Sequence, residues 1–162
     1  MYVAADASWY IEYGLAGLGC INNRGEHRSR VMLSPSIIDA ELEAIRLALE
    51  SFPKGDLTIL SDSLPAIHLL SKPAAHLRTY MQDIAKLASG RQVVVRWVKG
   101  HSGDPLNITA DWIARRAYRN FIRPVDQRSN EDNLEQILKE MKRKFATYQL
   151  SPANGRLIRL GS

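Results

Sequence analysis

Residues 16–22 (AGLGCIN) and 27–33 (HRSRVML) flank the triplet Asn23-Arg24-Gly25, a turn composition that reads as the tip of a β-hairpin. The hairpin commits the start of the chain to an antiparallel ladder, and the helical patterns downstream of it exclude an all-β fold. Upstream, YVAADAS alternates and reads as a strand ending at Asp6. Downstream, residues 37–52 place Ile38, Leu42, Ile45 and Leu49 at helical spacing, between Ser34-Pro35-Ser36 and Pro53-Lys54-Gly55. LTILS (57–61) reads as a short buried strand, and residues 63–70 and 75–89 as helices. RQVVVRWV (91–98) is a β-branched strand, followed by a helix from about Pro105 to Asn120 that contains Asp111. Three strands, a helix, a strand, helices, a strand and a helix predict an α/β domain. Its five-stranded mixed sheet, antiparallel over the first three strands, is flanked by helices.

Residues 121–162 differ in character, and the expected division is a domain over 1–120 with an appendage over 121–162. FIRPVDQRSNEDN is polar and linker-like. Residues 131–148 then predict a helix with Leu134, Ile137, Leu138, Met141 and Phe145 on one stripe. Its acids come early and its bases late, the order the helix dipole favours. The appendage carries eight Lys/Arg against five Asp/Glu, so it supplies most of the chain's net charge of +5. Two uses of the helix stay open. Its stripe packs on the core or on a second subunit, or its basic end, with Arg156 and Arg159, grips an acidic substrate.

A basic balance fits a polyanionic partner without specifying one. The single Cys20 rules out an internal disulfide and suits a reducing compartment. No apolar run approaches the roughly 20 residues of a membrane span. Met1 leads straight into a strand pattern without the basic and apolar regions of a secretion signal, so the cytoplasm is the expected location.

Chemistry concentrates in a few acids and one histidine. Asp6 and Asp62 each stand at the end of a predicted strand, where ligand crevices of such sheets lie. Glu41 stands early in a helix. His101, Asn107 and Asp111 lie in WVKGHSGDPLNITAD, a Gly/Pro-rich loop running into a helix. Hard divalent ions take oxygen ligands, and two of them roughly 3.5–4 Å apart can activate water and stabilise a leaving oxygen in phosphoryl transfer. About four carboxylates on rigid elements meet that need. Singly, each residue has a plainer reading: a strand-end turn for Asp6 and Asp62, a helix-dipole or capping charge for Glu41, a solvated helix position for Asp111, an ordinary loop histidine for His101.

Taken together and in order, these residues resemble type 1 ribonuclease H, including the ribonuclease H domains of reverse transcriptases and retrotransposons. The resemblance rests on Asp6-Ala7-Ser8, Glu41-Leu42 and Ser61-Asp62-Ser63, then on Trp97-Val98-Lys99-Gly100-His101-Ser102-Gly103 with Asn107, Asp111, Ala114 and Ala117. Gly14, Gly17 and Gly19 match in kind, and the likeness spans residues 1 to about 120. It implies Asp6, Glu41, Asp62 and Asp111 as catalytic ligands of two Mg²⁺ ions, for which Mn²⁺ substitutes, with Asp6 bridging. It implies His101 as the group that moves a proton to the leaving 3′ oxygen or aids product release. Ser8, Ser36, Lys99 and Asn107 become candidate substrate contacts. The implied reaction is cleavage of the RNA strand of an RNA–DNA hybrid to 5′-phosphate and 3′-hydroxyl products.

The chain departs from that pattern in four places. Ala7 replaces the usual Gly, and Ser36-Ile37-Ile38 stands where many members carry Thr-Asn-Asn. Leu64 replaces a frequent Gln. Only 38 residues separate Asp62 from His101, without the long basic insertion that cellular members often use to hold a duplex. Isoleucine and leucine carry no group that hydrogen-bonds a ribose 2′-hydroxyl, the contact that distinguishes RNA from DNA.

Overall fold

A computed structural model of the chain describes residues 1–73, 79–123, 127–150 and 157–160. The elements in order are β1 (Tyr2–Tyr10), β2 (Leu15–Asn22), β3 (His27–Leu33), α1 (Ile37–Ser51), β4 (Leu57–Ser61), α2 (Leu64–Leu70) and α3 (Thr79–Ala88). They continue with β5 (Val93–Trp97), α4 (Pro105–Ile122), α5 (Gln127–Phe145) and β6 (Leu157–Leu160). One mixed sheet runs β3-β2-β1-β4-β5-β6. The first three strands are antiparallel, β4 and β5 join β1 in parallel, and β6 closes antiparallel on β5. Residues 75–78 of the helix expected over 75–89 lie outside the described residues.

The hairpin forms where the turn residues put it. Gly25 has φ +90°, a left-handed conformation that a side chain would strain. α1 starts at Ser36, whose hydroxyl oxygen accepts from the Asp39 amide and so satisfies one of the unpaired donors of the first turn. Its fully buried Leu42, Ile45 and Leu49 lie in a core with Val3, Ala5, Leu18 and Ile59 on one face of the sheet. α4 covers the other face at unusually close range. A Cβ at Gly17 would strike the Ala114 carbonyl, and one at Gly19 the Ala110 carbonyl. Glycines on β2 facing alanines on α4 therefore let helix and strand approach to backbone distance.

The structure corrects four expectations. The sheet has six strands, not five: residues 157–160 (LIRL) pair along the whole of Val93–Arg96, with Leu160 buried and Ile158 packed on the α1-side core. The segment has the pattern of a basic tail because four residues interrupted by Arg159 give too short an alternation to register. Covering β5 removes an open edge of unpaired backbone groups. Second, β1 does not end at Asp6 but runs on to Tyr10, because β2 pairs with it as far as Tyr10↔Leu15. Third, Phe121 and Ile122 of the expected linker complete α4, and residues 127–130 already belong to α5. The run Gln127–Asn130 holds no apolar residue, so its sequence offers no helical stripe to read. Fourth, α5 ends at Phe145 rather than 148. Its Leu138, Met141 and Phe145 pack against Leu106, Ala110 and Ile113 of α4, so that part of the stripe is covered by the chain itself.

Candidate active site

Register explains where the acids meet. β1 pairs with β4 only over Tyr2–Ala4, opposite Thr58–Leu60, while its pairing with β2 continues. Past Ala4 the sheet opens on the β4 side, and Asp6 stands at that opening two residues on. Asp62 directly follows β4, and Glu41 reaches in from the second turn of α1. One carboxylate oxygen from each of Asp6, Glu41 and Asp62 lies within 4.8 Å of the others.

The surroundings make this a costly arrangement for bare charge. Asp6 is 5% exposed and Glu41 6%. Burial, then the neighbouring carboxylates of Asp62 and Asp111, push the Asp6 carboxyl up to about 8. Burial and the same crowding by Asp6 and Asp62 hold Glu41 well above the usual carboxylate range. The Ala7 amide donates to Asp6 Oδ1 at 2.8 Å, while Glu41 Oε2 is buried with no hydrogen-bond partner. An all-oxygen set of crowded acids with an unpartnered acceptor suits a hard divalent cation, which would relieve the repulsion and occupy the orphaned oxygen.

Asp62 is held from outside the cluster. Trp97 Nε1 donates to its carbonyl at 3.1 Å, and Asn107 Nδ2 donates to Oδ2 at 3.2 Å. Asn107 is buried, and its own amide donates to Asp104 Oδ1 at 3.0 Å. Asp104 thus caps α4 and seats the residue that steadies Asp62. The sequence patterns do not single out Asp104 as a site residue, although Asp-Pro at a helix start is a capping signal. Gly100 lets the intervening loop pass close to the site, since a Cβ there would lie 2.6 Å from Asp62 Oδ2.

The remaining candidates are placed less directly. Asp111 is outside the group of three, although near enough to raise Asp6. Arg115, one helical turn on, takes both its oxygens, with Nε to Oδ1 at 2.8 Å and Nη2 to Oδ2 at 2.7 Å. That partner too is absent from the sequence-based site, though the i,i+4 spacing announces it. His101 is exposed and has φ +53°, and Lys99 is exposed on the same loop. Ser8 donates to the Tyr10 hydroxyl at 3.1 Å. Ser36 donates to Asp39 Oδ2 at 2.6 Å, so its proton is committed within the cap. Ile37 and Leu64 are exposed at 42% and 40%, whereas Ile38 packs into the core.

Residues 1–119 match the family model described as RNase H. The chain belongs to the RNase H family. It is 41% identical over 93 residues to a ribonuclease H of Schizosaccharomyces pombe, covering 48% of this chain and 34% of that protein. It is 34% identical over 100 residues to a ribonuclease H of Tropheryma whipplei, covering 51% of this chain and 62% of that one. The chain therefore spans about a third to three fifths of the length of these curated relatives. The RNase H match takes in the whole acid cluster, the His101 loop and Asp111, and stops within α4. No described helix is long and apolar enough to cross a membrane.

Proposed function

We propose that this RNase H-family chain is a metal-dependent endonuclease that hydrolyses the RNA strand of RNA–DNA hybrids, leaving 5′-phosphate and 3′-hydroxyl ends and so clearing primers or other hybrid structures. The observation that carries the proposal is the group of Asp6, Glu41 and Asp62, with oxygens within 4.8 Å in a buried setting that bare carboxylates would not favour. A non-catalytic binding module gains nothing from acids facing a phosphate.

In this reading Asp6, Glu41 and Asp62 hold Mg²⁺, or Mn²⁺ in its place, beside the scissile phosphate, and Asp111 completes a second position. The bound ions supply an activated water and charge stabilisation at the leaving oxygen. Asn107 is a positioning residue that keeps Asp62 aimed at the cluster. His101 protonates O3′ as the P–O3′ bond breaks, or assists departure of the product. Lys99 offers a phosphate contact from the same loop. Cytoplasmic location is part of the proposal.

One observation favours a second reading within the same chemistry. Ser36 is committed to Asp39, and Ile37 and Leu64 present apolar surface, so 2′-hydroxyl recognition has few side chains to rest on. Another nucleic-acid phosphodiester would then be accepted. Cleavage of matched RNA–DNA, RNA–RNA and DNA–DNA duplexes in Mg²⁺ or Mn²⁺ separates the readings. Cleavage confined to the RNA of the hybrid, abolished by Asp62→Asn with hybrid binding retained, is the expected result. Comparable cleavage of RNA–RNA replaces hybrid specificity with the broader reading, and no cleavage of any duplex by folded protein overturns both.

A further inference from the structure

The cleft does not account for a groove on the appendage side. Between the start of α4 and the last turns of α5 lies a concavity of about 880 Å³, lined by Pro105, Ile108, Ile137, Met141, Arg143 and Lys144. A smaller depression of about 480 Å³ shares Gly103, Pro105, Arg143 and Lys144 with it. Gly103 is the link to the cleft: it ends the loop that carries Lys99 and His101 and that meets Asp62 at Gly100.

Charge on this side is one-sided. Residues 139–144 hold four bases and one acid. Lys142 lies over the hairpin turn at Gly25, which leaves Lys139, Arg143 and Lys144 at the groove, and of these only Arg143 and Lys144 also line the smaller depression at Gly103. Both are tied to Glu140: Arg143 Nε at 2.9 Å and Nη2 at 2.7 Å, and Lys144 Nζ at 3.4 Å. The Leu138, Met141 and Phe145 part of the α5 stripe is already occupied by α4, whereas Ile137 lines the groove.

We propose that Arg143 and Lys144 form a second grip for the sugar–phosphate backbone of the same hybrid, beyond the scissile phosphate on the side of the His101 loop. The proposal rests on the nuclease reading. A duplex leaving the cleft presents about one negative charge per 1.7 Å of axis, so bases flanking the loop meet phosphates whatever the sequence. Phosphate must compete with Glu140 for both side chains. Arg143 and Lys144 are 71% and 58% exposed, so their pairing with Glu140 is weak enough to exchange.

The test compares the full chain with Arg143→Ala/Lys144→Ala and with Glu140→Gln, over a series of salt concentrations. The double variant should raise KM for hybrid about fivefold with kcat within about twofold, and lower the salt dependence of binding by about one to two phosphate contacts. Glu140→Gln should act oppositely and lower KM about two- to threefold, an outcome a merely structural role for the ion pair would not give. Binding measured by fluorescence anisotropy in an Asp62→Asn background keeps the grip separate from catalysis. If the wild type cleaves nothing yet the salt-dependent binding responds as stated, the nuclease reading fails and the grip stands. A folded double variant with unchanged KM, affinity and salt slope overturns the grip, as does tighter binding of an acidic peptide than of hybrid.

Discussion

Replacing Asp6 by Asn should stabilise the metal-free protein, and more so as pH rises. In the folded chain the Asp6 carboxyl keeps its proton up to about pH 8, against 3.8 for the unperturbed group. Across that interval the folded state binds more protons than the unfolded one, so stability falls as pH rises from about 4 to about 8. At pH 7 the unfolded chain gains roughly three pH units of ionisation that the folded chain forgoes, and at about 1.4 kcal/mol per unit the ceiling is about 4 kcal/mol. Asn cannot ionise, nearly matches the carboxyl in size, and its carbonyl oxygen can still accept from the Ala7 amide. It also relieves the repulsion that raises Glu41. The variant should gain about 2–4 kcal/mol at pH 7 in EDTA, a rise in Tm of about 5–10 °C for a chain of this length. Thermal unfolding at pH 4, 7 and 9 measures it. The two proteins should converge at pH 4 and separate fully by pH 9, where only the wild type should gain further on addition of Mg²⁺. An Asp6→Asn protein no more stable than wild type at pH 9, or a gap that narrows as pH rises, would refute the crowded-acid reasoning.

Two further substitutions probe the supports of the cluster. Gly100→Ala puts a Cβ 2.6 Å from Asp62 Oδ2, so either the loop or the carboxylate must move. The expected result is a fall in kcat of about 10- to 100-fold with circular dichroism and Tm nearly unchanged, and retention of full activity would show that Asp62 tolerates displacement. Arg115→Ala frees both oxygens of Asp111 from an exposed ion pair. The Mg²⁺ concentration for half-maximal cleavage should drop about two- to fivefold, matching the roughly 0.2–1 kcal/mol such pairs contribute, and an increased requirement would instead make Arg115 a support for Asp111.

The sequence discloses what is local and conceals what depends on pairing between distant segments. The hairpin, the helix stripe of Leu42, Ile45 and Leu49, and the loop at Lys99 running into the helix of Asp111 are written in neighbouring residues, and each stands where its pattern puts it. The residues around Asp6 suggest a strand end, wrongly, because its setting depends on where β4 leaves β1, which no window around Asp6 contains. Asn107 can be placed beside the site from the sequence but not assigned a partner, since its bond to Asp62 spans 45 residues. Asp111 and Arg115 are both visible at i,i+4, yet whether the carboxylate faces a cation or its own helix neighbour is decided by rotamers.

What joins fold to chemistry is the gap left as β4 departs from β1. A closed parallel pair would bury Asp6 against backbone and give Glu41 no way through from α1. An earlier departure would leave the acids in water, where they would titrate near their ordinary values and hold a cation weakly. At this opening they are dry enough to repel one another, and a domain typically has only about 5–15 kcal/mol of stability with which to tolerate that. The rigid supports around the opening are then a thermodynamic requirement. Trp97 and Asn107, the latter seated by Asp104, hold Asp62 against relaxing away from the other carboxylates. Their effect should therefore appear first in cation affinity and only second in stability. Asn107→Ala is expected to weaken Mg²⁺ binding by about tenfold while changing Tm by only a few degrees, because it removes one hydrogen bond that orients a ligand. Titration calorimetry with Mg²⁺ would settle it, and equal affinity in the variant would mean that the opening and Trp97 fix Asp62 without Asn107.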